Sequence, residues 1–366
     1  MNTYRTYPQQ KYFDYLNFFL ILLLSLCGLL FIFSATYNTE KPFSLFFVKQ
    51  SIGIVCGIII YFICLIPDYR TIMRWGYFAY FGTISLLVLT LFKGSIGMGG
   101  QRWINLLFFK FQPSELVKIL FPASMVNYLH LQKKTIIHTF NIFMPIIITL
   151  CITFILIQKQ PDLGTAVLVL LSGLTLCWLA GLSEKFFLYA LLLCIVMAPV
   201  FWTYVLRDYQ KNRIIVFLGQ GNNKKEAYQI EQAHIAIGSG GLWGKGIFNG
   251  TQNRLRFLPE SRTDFIFAVL CEEWGFVGAF FILVCYIFLF IRSFLCIKKI
   301  KDFYAQLFAS GLLLHIVLTT VINIGMVLGI LPIVGIPLPL MSYGISNLWI
   351  TFASLGILQN IVMAGK

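Results

Sequence analysis

Apolar residues run along this chain in long unbroken stretches. They do not form the stripes of a soluble helix or the alternation of a β-barrel strand. Residues 18–33 and 276–291 are examples. A bilayer core takes about 20 apolar residues per helix, and helices satisfy their backbone polar groups internally, as hydrocarbon demands. The pattern predicts ten spans, at 15–36, 45–66, 73–92, 114–129, 141–158, 162–181, 186–205, 264–292, 304–330 and 341–363. The expected fold class is an all-α polytopic membrane protein, with 1–366 as one transmembrane domain and a long loop, about 206–263, before the eighth helix. The first run follows Arg5 and Lys11 as a signal peptide would, but its length and the many later spans mark it as an uncleaved first helix.

Composition agrees. Of 366 residues, 58% are hydrophobic and only 11% charged, and mean hydropathy is +0.82. A soluble domain usually carries about 25% charge, so lipid is the solvent for most of this surface. The nine cysteines are scattered singly, as small apolar packing residues, and imply neither disulfide nor zinc site.

The net charge is +14, but its placement matters more than its sum. Arg70 and Arg74, Lys133 and Lys134, and Arg292, Lys298, Lys299 and Lys301 fall on alternate connections. By the positive-inside rule both termini are then cytoplasmic. The connections 37–44, 93–113, 206–263 and 331–340 face outward. The long loop is itself basic, which a long loop tolerates. It is either a solvated loop or a surface for an anionic substrate or anionic lipid head groups. Within it, Ile230, Ala233, His234 and Ile237 stand at helical spacing, predicting an amphipathic helix on the membrane surface. The following GSGGLWGKG (238–246) is a flexible turn or, with Lys245, a weak phosphate motif.

Charges at membrane helices are expensive, so each is a candidate for function. In QPSELVK (112–118), Pro113 suits a first helical turn, and Glu115 and Lys118 share a face at i and i+3. They form either a self-neutralising pair or a charged cavity wall, with Arg102 and Lys110 just upstream. Asp162, in QPDLGTA, is placed to cap a helix. Glu260 and Asp264 lie in LPESRTDFIF (258–267). Ser261 and Asp264 fit a capping box, worth about 1 kcal/mol. Asp264 equally fits a carboxylate at the water–lipid rim that takes a proton from a sugar hydroxyl or holds a divalent cation. The residues alone leave both readings open. The Pro-rich 330–344 must be buried in protein or line a cavity. His315 and Asn323 read as inter-helix hydrogen-bonding groups.

Four ordered segments carry a resemblance: RWINLLFFKFQPSELVKI, QPDLGTA, AIGSGGLWGKGIFNGTQNRLRFLPESRTDFIFAVLCEEWG and GILPIVGIPLPLMSYG. Together they resemble the signatures of the SEDS family (shape, elongation, division and sporulation), closer to its RodA-like branch. The resemblance implies a ten-helix peptidoglycan glycosyltransferase of the bacterial cytoplasmic membrane. It would polymerise lipid II on the outer face for cell elongation and shape, alongside a class B penicillin-binding protein, with the bilayer and no nucleic acid as its surroundings. By resemblance Asp264 is the catalytic carboxylate, and Lys110, Glu115 and Lys118 match functional positions. Asp264 would activate the acceptor hydroxyl while undecaprenyl pyrophosphate leaves. Arg102, Lys110, Glu115, Lys118, Asp162, Arg213 and Glu260 would bind substrate, with a divalent cation (magnesium or manganese) as a candidate cofactor. The chain departs from the family pattern at Arg262 (usually histidine), Ile345 (usually glycine) and Arg256 (a glutamate in division-type relatives). A lipid flippase or transporter and a non-catalytic scaffold are the rival readings.

Overall fold

The structure is a computed structural model. It describes residues 13–37, 43–97, 100–106, 109–132, 140–219, 224–255 and 257–365. Lys133, Lys134, Arg256 and much of the 37–44 connection lie outside the described residues.

A helix occupies each predicted span. They are α1 (Tyr15–Thr36), α2 (Leu45–Ile63), α3 (Tyr69–Lys93), α4 (Pro113–Leu131), α5 (Phe140–Lys159), α6 (Leu163–Leu179) and α7 (Glu184–Val200). After them come the loop helices α8 (Asp208–Phe217), α9 (Lys224–Gly240) and α10 (Thr251–Arg254), then α11 (Ile266–Lys298), α12 (Phe303–Val327) and α13 (Ile345–Ala364). Among the described residues, eight helices are long and apolar enough to cross a membrane. Of the other two, α6 is apolar but has 17 residues, and α4 carries Glu115 and Lys118.

The helix ends show the alternation of the bundle. At one end Arg292 pairs with Asp14 at 2.8 Å, the Tyr69 hydroxyl donates to Asp302, and Asn360 donates to the carbonyls of Cys64, Leu65 and Pro67. At the other end Gln160, after α5, donates to Leu87 and Thr90 near the end of α3. The 93–113 connection also lies there and adds three short antiparallel strands to the all-α bundle: β1 (Ser95–Gly97), β2 (Gly100–Leu106) and β3 (Phe109–Phe111). Asn105 faces Lys110 across β2 and β3.

Lipid supplies little force to join apolar helices, so close approach at small residues does much of the packing. A Cβ on Gly76 would lie 2.5 Å from the Ala123 Cβ, and one on Gly57 2.5 Å from the Phe352 ring. These contacts join α3 to α4 and α2 to α13. By contrast α7 buries no residue. It continues as a π-helical turn, Phe201–Val205, and touches the bundle at its start, where Phe186 and Phe187 pack on the core and Phe186 meets the Phe140 ring.

Two loop features differ from expectation. α9 packs against the start of α11 through Ala233, Ala236 and Gly240, while His234 is exposed. The glycine-rich stretch is neither a free turn nor a phosphate cradle. It clasps a kink in α11 at Gly275 (φ 65°). Lys245 and Gly246 donate to the Glu272 and Glu273 carbonyls, and Phe276 and Val277 donate back to Gly241 and Leu242. Gly244 and Gly275 meet backbone to backbone, with a Cβ on either falling within 2.3 Å of the other strand.

A close approach joins α1 to the Pro-rich segment, where a Cβ on Gly28 would lie 2.4 Å from the Met341 Cα. Gly28→Val is therefore expected to cost about 1–3 kcal/mol through overpacking, read as a lowered Tm of the purified protein in detergent.

Candidate functional site

Asp264 lies two residues before α11, at the end where the strands and the starts of α4 and α6 meet. The capping-box reading fails. Phe265 is the N-cap of α11 and no side chain caps it, while the Thr263 hydroxyl turns to Glu260. Glu260 itself holds φ at +52°, a left-handed conformation that costs a non-glycine residue free energy. The Asp264 carboxylate is not used up in starting the helix.

Its backbone is fixed from below. Asn323 on α12 donates to the carbonyls of Asp264 (2.9 Å) and Ile336 (2.7 Å). The Ser342 hydroxyl donates to the Thr263 carbonyl and accepts from the Leu338 amide. The Tyr343 amide donates to the Arg262 carbonyl at 2.9 Å. Gln50 of α2 donates to the Ser342 carbonyl and accepts from the Gly344 amide. Gly335, with φ 72°, brings the Pro-rich segment under the acid, where an added Cβ would stand 3.5 Å from Asp264 Oδ2.

Four predicted residues act on that carboxylate: Glu260, Arg213, Arg102 and Asp162. Asp162 caps α6 by accepting from the Thr165 amide. It also accepts from Gln112 at 2.7 Å and faces Arg102 at 3.4 Å. Arg102 reaches it because β2 starts at Gly100, packed on the Gln160 carbonyl. Burial, then the Glu260 charge, pushes Asp264 up to about 6, with Asp162 adding to the rise while Arg213 and Arg102 oppose it. A carboxyl titrating there is a competent general base near neutrality.

Lys110, Glu115 and Lys118 are not among the charged groups acting on Asp264. Glu115 and Lys118 form a buried pair at 2.7 Å, and Asn347 of α13 donates to Glu115. The Lys110 side chain is exposed, while its carbonyl accepts from Ser346 at the start of α13. Arg262 stacks over Phe46, 4.0 Å from ring centroid to guanidinium carbon, and Ile345 faces Gly53. Sequence reasoning missed Gln112 and Gln50. Gln112 sat inside a quoted motif, whereas Gln50 is a lone polar residue in an apolar run and gives no local signal.

No group of three His, Cys, Asp or Glu side chains able to hold a metal occurs among the described residues. Asp162 is already engaged by Arg102 and Gln112. A cation here could be held only jointly by Asp264 and a substrate's own phosphates.

The helices and this polar centre at one end of the bundle define a multi-pass membrane protein. The chain belongs to the FtsW/RodA/SpoVE family of cell cycle proteins, whose model matches residues 14–366. It is 40% identical over 322 residues to the peptidoglycan glycosyltransferase MrdB of Escherichia coli K12, covering 86% of this chain and 85% of that one. It resembles a chain from a structure titled as the structural coordination of polymerization and crosslinking by a peptidoglycan synthase complex. That match has a TM-score of 0.80 at 26% identity, over 96% of this chain and 97% of the other. The rod shape determining protein RodA of Thermus thermophilus matches with a TM-score of 0.71 at 25% identity, over 96% and 97%. The family expected from the four motifs is thus borne out.

Asn323→Ala would leave the carbonyls of Asp264 and Ile336 without their donor. It is expected to cost about 1–3 kcal/mol, seen as a lower Tm together with faster amide exchange around 263–265 in the purified protein.

Proposed function

We propose that this protein is a peptidoglycan glycosyltransferase that polymerises lipid II at the outer face of the cytoplasmic membrane, with Asp264 as its catalytic carboxylate. The observation that carries the reading is Asp264 itself. It is a carboxylate raised to about 6, free of helix capping, with guanidiniums within electrostatic reach. The names of the relatives support the same activity.

In this mechanism ionised Asp264 takes the proton from the 4-hydroxyl of an acceptor N-acetylglucosamine as that oxygen attacks the anomeric carbon of the donor N-acetylmuramic acid. The bond from that carbon to the pyrophosphate oxygen breaks, and undecaprenyl pyrophosphate leaves with inversion. Arg102 and Arg213 stabilise the charge growing on the leaving group. Asp162 and Gln112 hold Arg102 in place, and Glu260 raises the basicity of Asp264. Exposed Lys110 and the buried Glu115–Lys118 pair are assigned to substrate binding along the α4 wall. A magnesium or manganese ion would be shared between Asp264 and the pyrophosphate, and no step above depends on it. The loosely packed α7 leaves room for a polyprenyl tail to enter from the bilayer. A class B penicillin-binding protein is the proposed partner, since a structural neighbour comes from a complex that couples polymerization to crosslinking. The positive-inside pattern of the connections supports cytoplasmic termini in this reading.

A folded Asp264→Asn protein, with its partner present, is expected to polymerise lipid II at least ~100-fold more slowly. Polymer at the normal rate would overturn the mechanism, and lipid flipping without polymer in proteoliposomes would favour a transporter. The pH profile gives a second check. With Asp264 near 6, roughly 90% is ionised at pH 7 and roughly 10% at pH 5, so the rate falls as pH drops through 6. Arg102 favours the ionised form, so Arg102→Gln raises the Asp264 pKa. The acid limb of the rate profile should then move to higher pH.

A further inference from the structure

The loop that carries Asp264 also walls a second cleft. Residues 258–262 form one side, and the end of α1, the start of α2, residues 248–250 and Glu273 form the rest, enclosing about 850 Å³. Asp264 does not line it. The volume suits a ligand larger than one sugar.

Glu273 marks this cleft as a binding site. Its side chain is 1% exposed. The carboxylate accepts from the Ser34 hydroxyl and from the Phe248 backbone amide, while Oε2 has no hydrogen-bond partner among the described residues. A buried carboxylate oxygen without a donor is costly, and a ligand N–H or ammonium would remove that cost. The neighbouring Glu272 has more partners: Lys245 (2.7 Å), the Thr251 hydroxyl and the Gln252 amide all donate to its Oε1, although its Oε2 is also without one. Gly250 lets the chain pass close over both acids. A Cβ there would lie 3.0 Å from Glu272 Oε2 and 3.3 Å from Glu273 Oε1.

The rest of the cleft narrows the ligand. Arg254 and Arg262 line it, and neither forms an ion pair among the described residues. Two guanidiniums call for carboxylates. Glu260 and Glu273 would repel a pyrophosphate, and a neutral sugar would leave the arginines unmatched. A ligand with both N–H donors and carboxylates answers every group.

Resting on the glycosyltransferase reading above, we propose that this cleft is a peptide subsite. It holds the short acidic peptide that a peptidoglycan precursor carries beside its sugars, with Glu273 taking a peptide N–H or ammonium and the two arginines taking its carboxylates. Bound there, the peptide would orient its sugar toward Asp264 on the neighbouring stretch of the same loop.

The test compares KM for lipid-linked disaccharide with and without its peptide, using the full chain with its partner. The wild type is expected to show a KM at least fivefold lower for the peptide-bearing precursor. Glu273→Gln and Arg254→Ala should each bring the ratio of the two KM values toward one. Arg254 is exposed, so its variant guards against misfolding of the first. A benzoylphenylalanine in place of Phe248 should cross-link to the peptide portion of the precursor. An unchanged KM ratio in both variants, or a cross-link confined to sugar or polyprenyl, would overturn the proposal. If the wild type polymerises neither precursor, the glycosyltransferase reading fails, and the cross-link still reports on the cleft by itself.

Discussion

Backbone that is not helical cannot face hydrocarbon, because its N–H and carbonyl groups would go unanswered. The 331–344 segment carries Pro332, Pro337 and Pro339 and so cannot answer its own groups by forming a helix. Its carbonyls and amides are taken up by Asn323, Gln50, the Tyr286 hydroxyl and the neighbouring 262–264 backbone. The site follows from that obligation. Asn323, which donates to Ile336, also donates to the Asp264 carbonyl, and the Ser342 hydroxyl, which accepts from Leu338, donates to the Thr263 carbonyl, so the acid is located through its backbone. Its side chain is spared for chemistry. A carboxylate held by side-chain tethers would be better fixed but less basic, since each donor to the charged form lowers its pKa.

The polar groups around it obey a simple rule: a buried charge is tolerated when paired and destabilising when left alone. Lys118 neutralises Glu115, Lys245 neutralises Glu272, and Arg102 faces Asp162. Glu273 and Asp264 depart from that pattern. Glu273 lines the cleft beside the loop that leads into α11, and Asp264 stands at the end of that loop. Buried polar atoms without a partner occur at both ends of the bundle, Asn17 Oδ1 and Glu273 Oε2 among them, and Glu273 is the one of these two that lines a cleft.

Much of this was legible from residues alone. Unbroken apolar runs located a helix at each of the ten predicted spans, eight of them long and apolar enough to cross a membrane, because hydrocarbon imposes length and composition on each one locally. The i, i+3 pair of Glu115 and Lys118 and the cap at Asp162 were equally local, and both formed as spacing predicted. What stayed hidden depends on contacts far along the chain. Gln50 reaches Ser342, Gln112 reaches Asp162, and Asn323 reaches Asp264. The capping box misled because Ser261 and Asp264 have the right spacing, yet Glu260 turns the chain left-handed and Phe265 takes the cap. The glycine-rich stretch misled for a related reason. Its glycines serve the kink at Gly275, thirty residues on and invisible to any local pattern.

The loose packing of α7 completes the argument from solvent to function. In water, a helix with hydropathy 2.2 and none of its window buried would collapse onto its neighbours. In lipid it loses almost nothing by packing loosely, because acyl chains are as apolar as leucine. The same indifference allows a polyprenyl chain to replace a helix contact at little cost. The bundle packs closely at small residues throughout, as at Gly28, Gly57 and Gly76 and, on α6 and α12, at Gly173 and Gly311. By contrast α7 has no glycine and buries no residue. On the reading proposed above, a lipid-linked substrate would enter beside α7, away from the Asn323–Asp264–Ser342 framework that holds the acid's backbone.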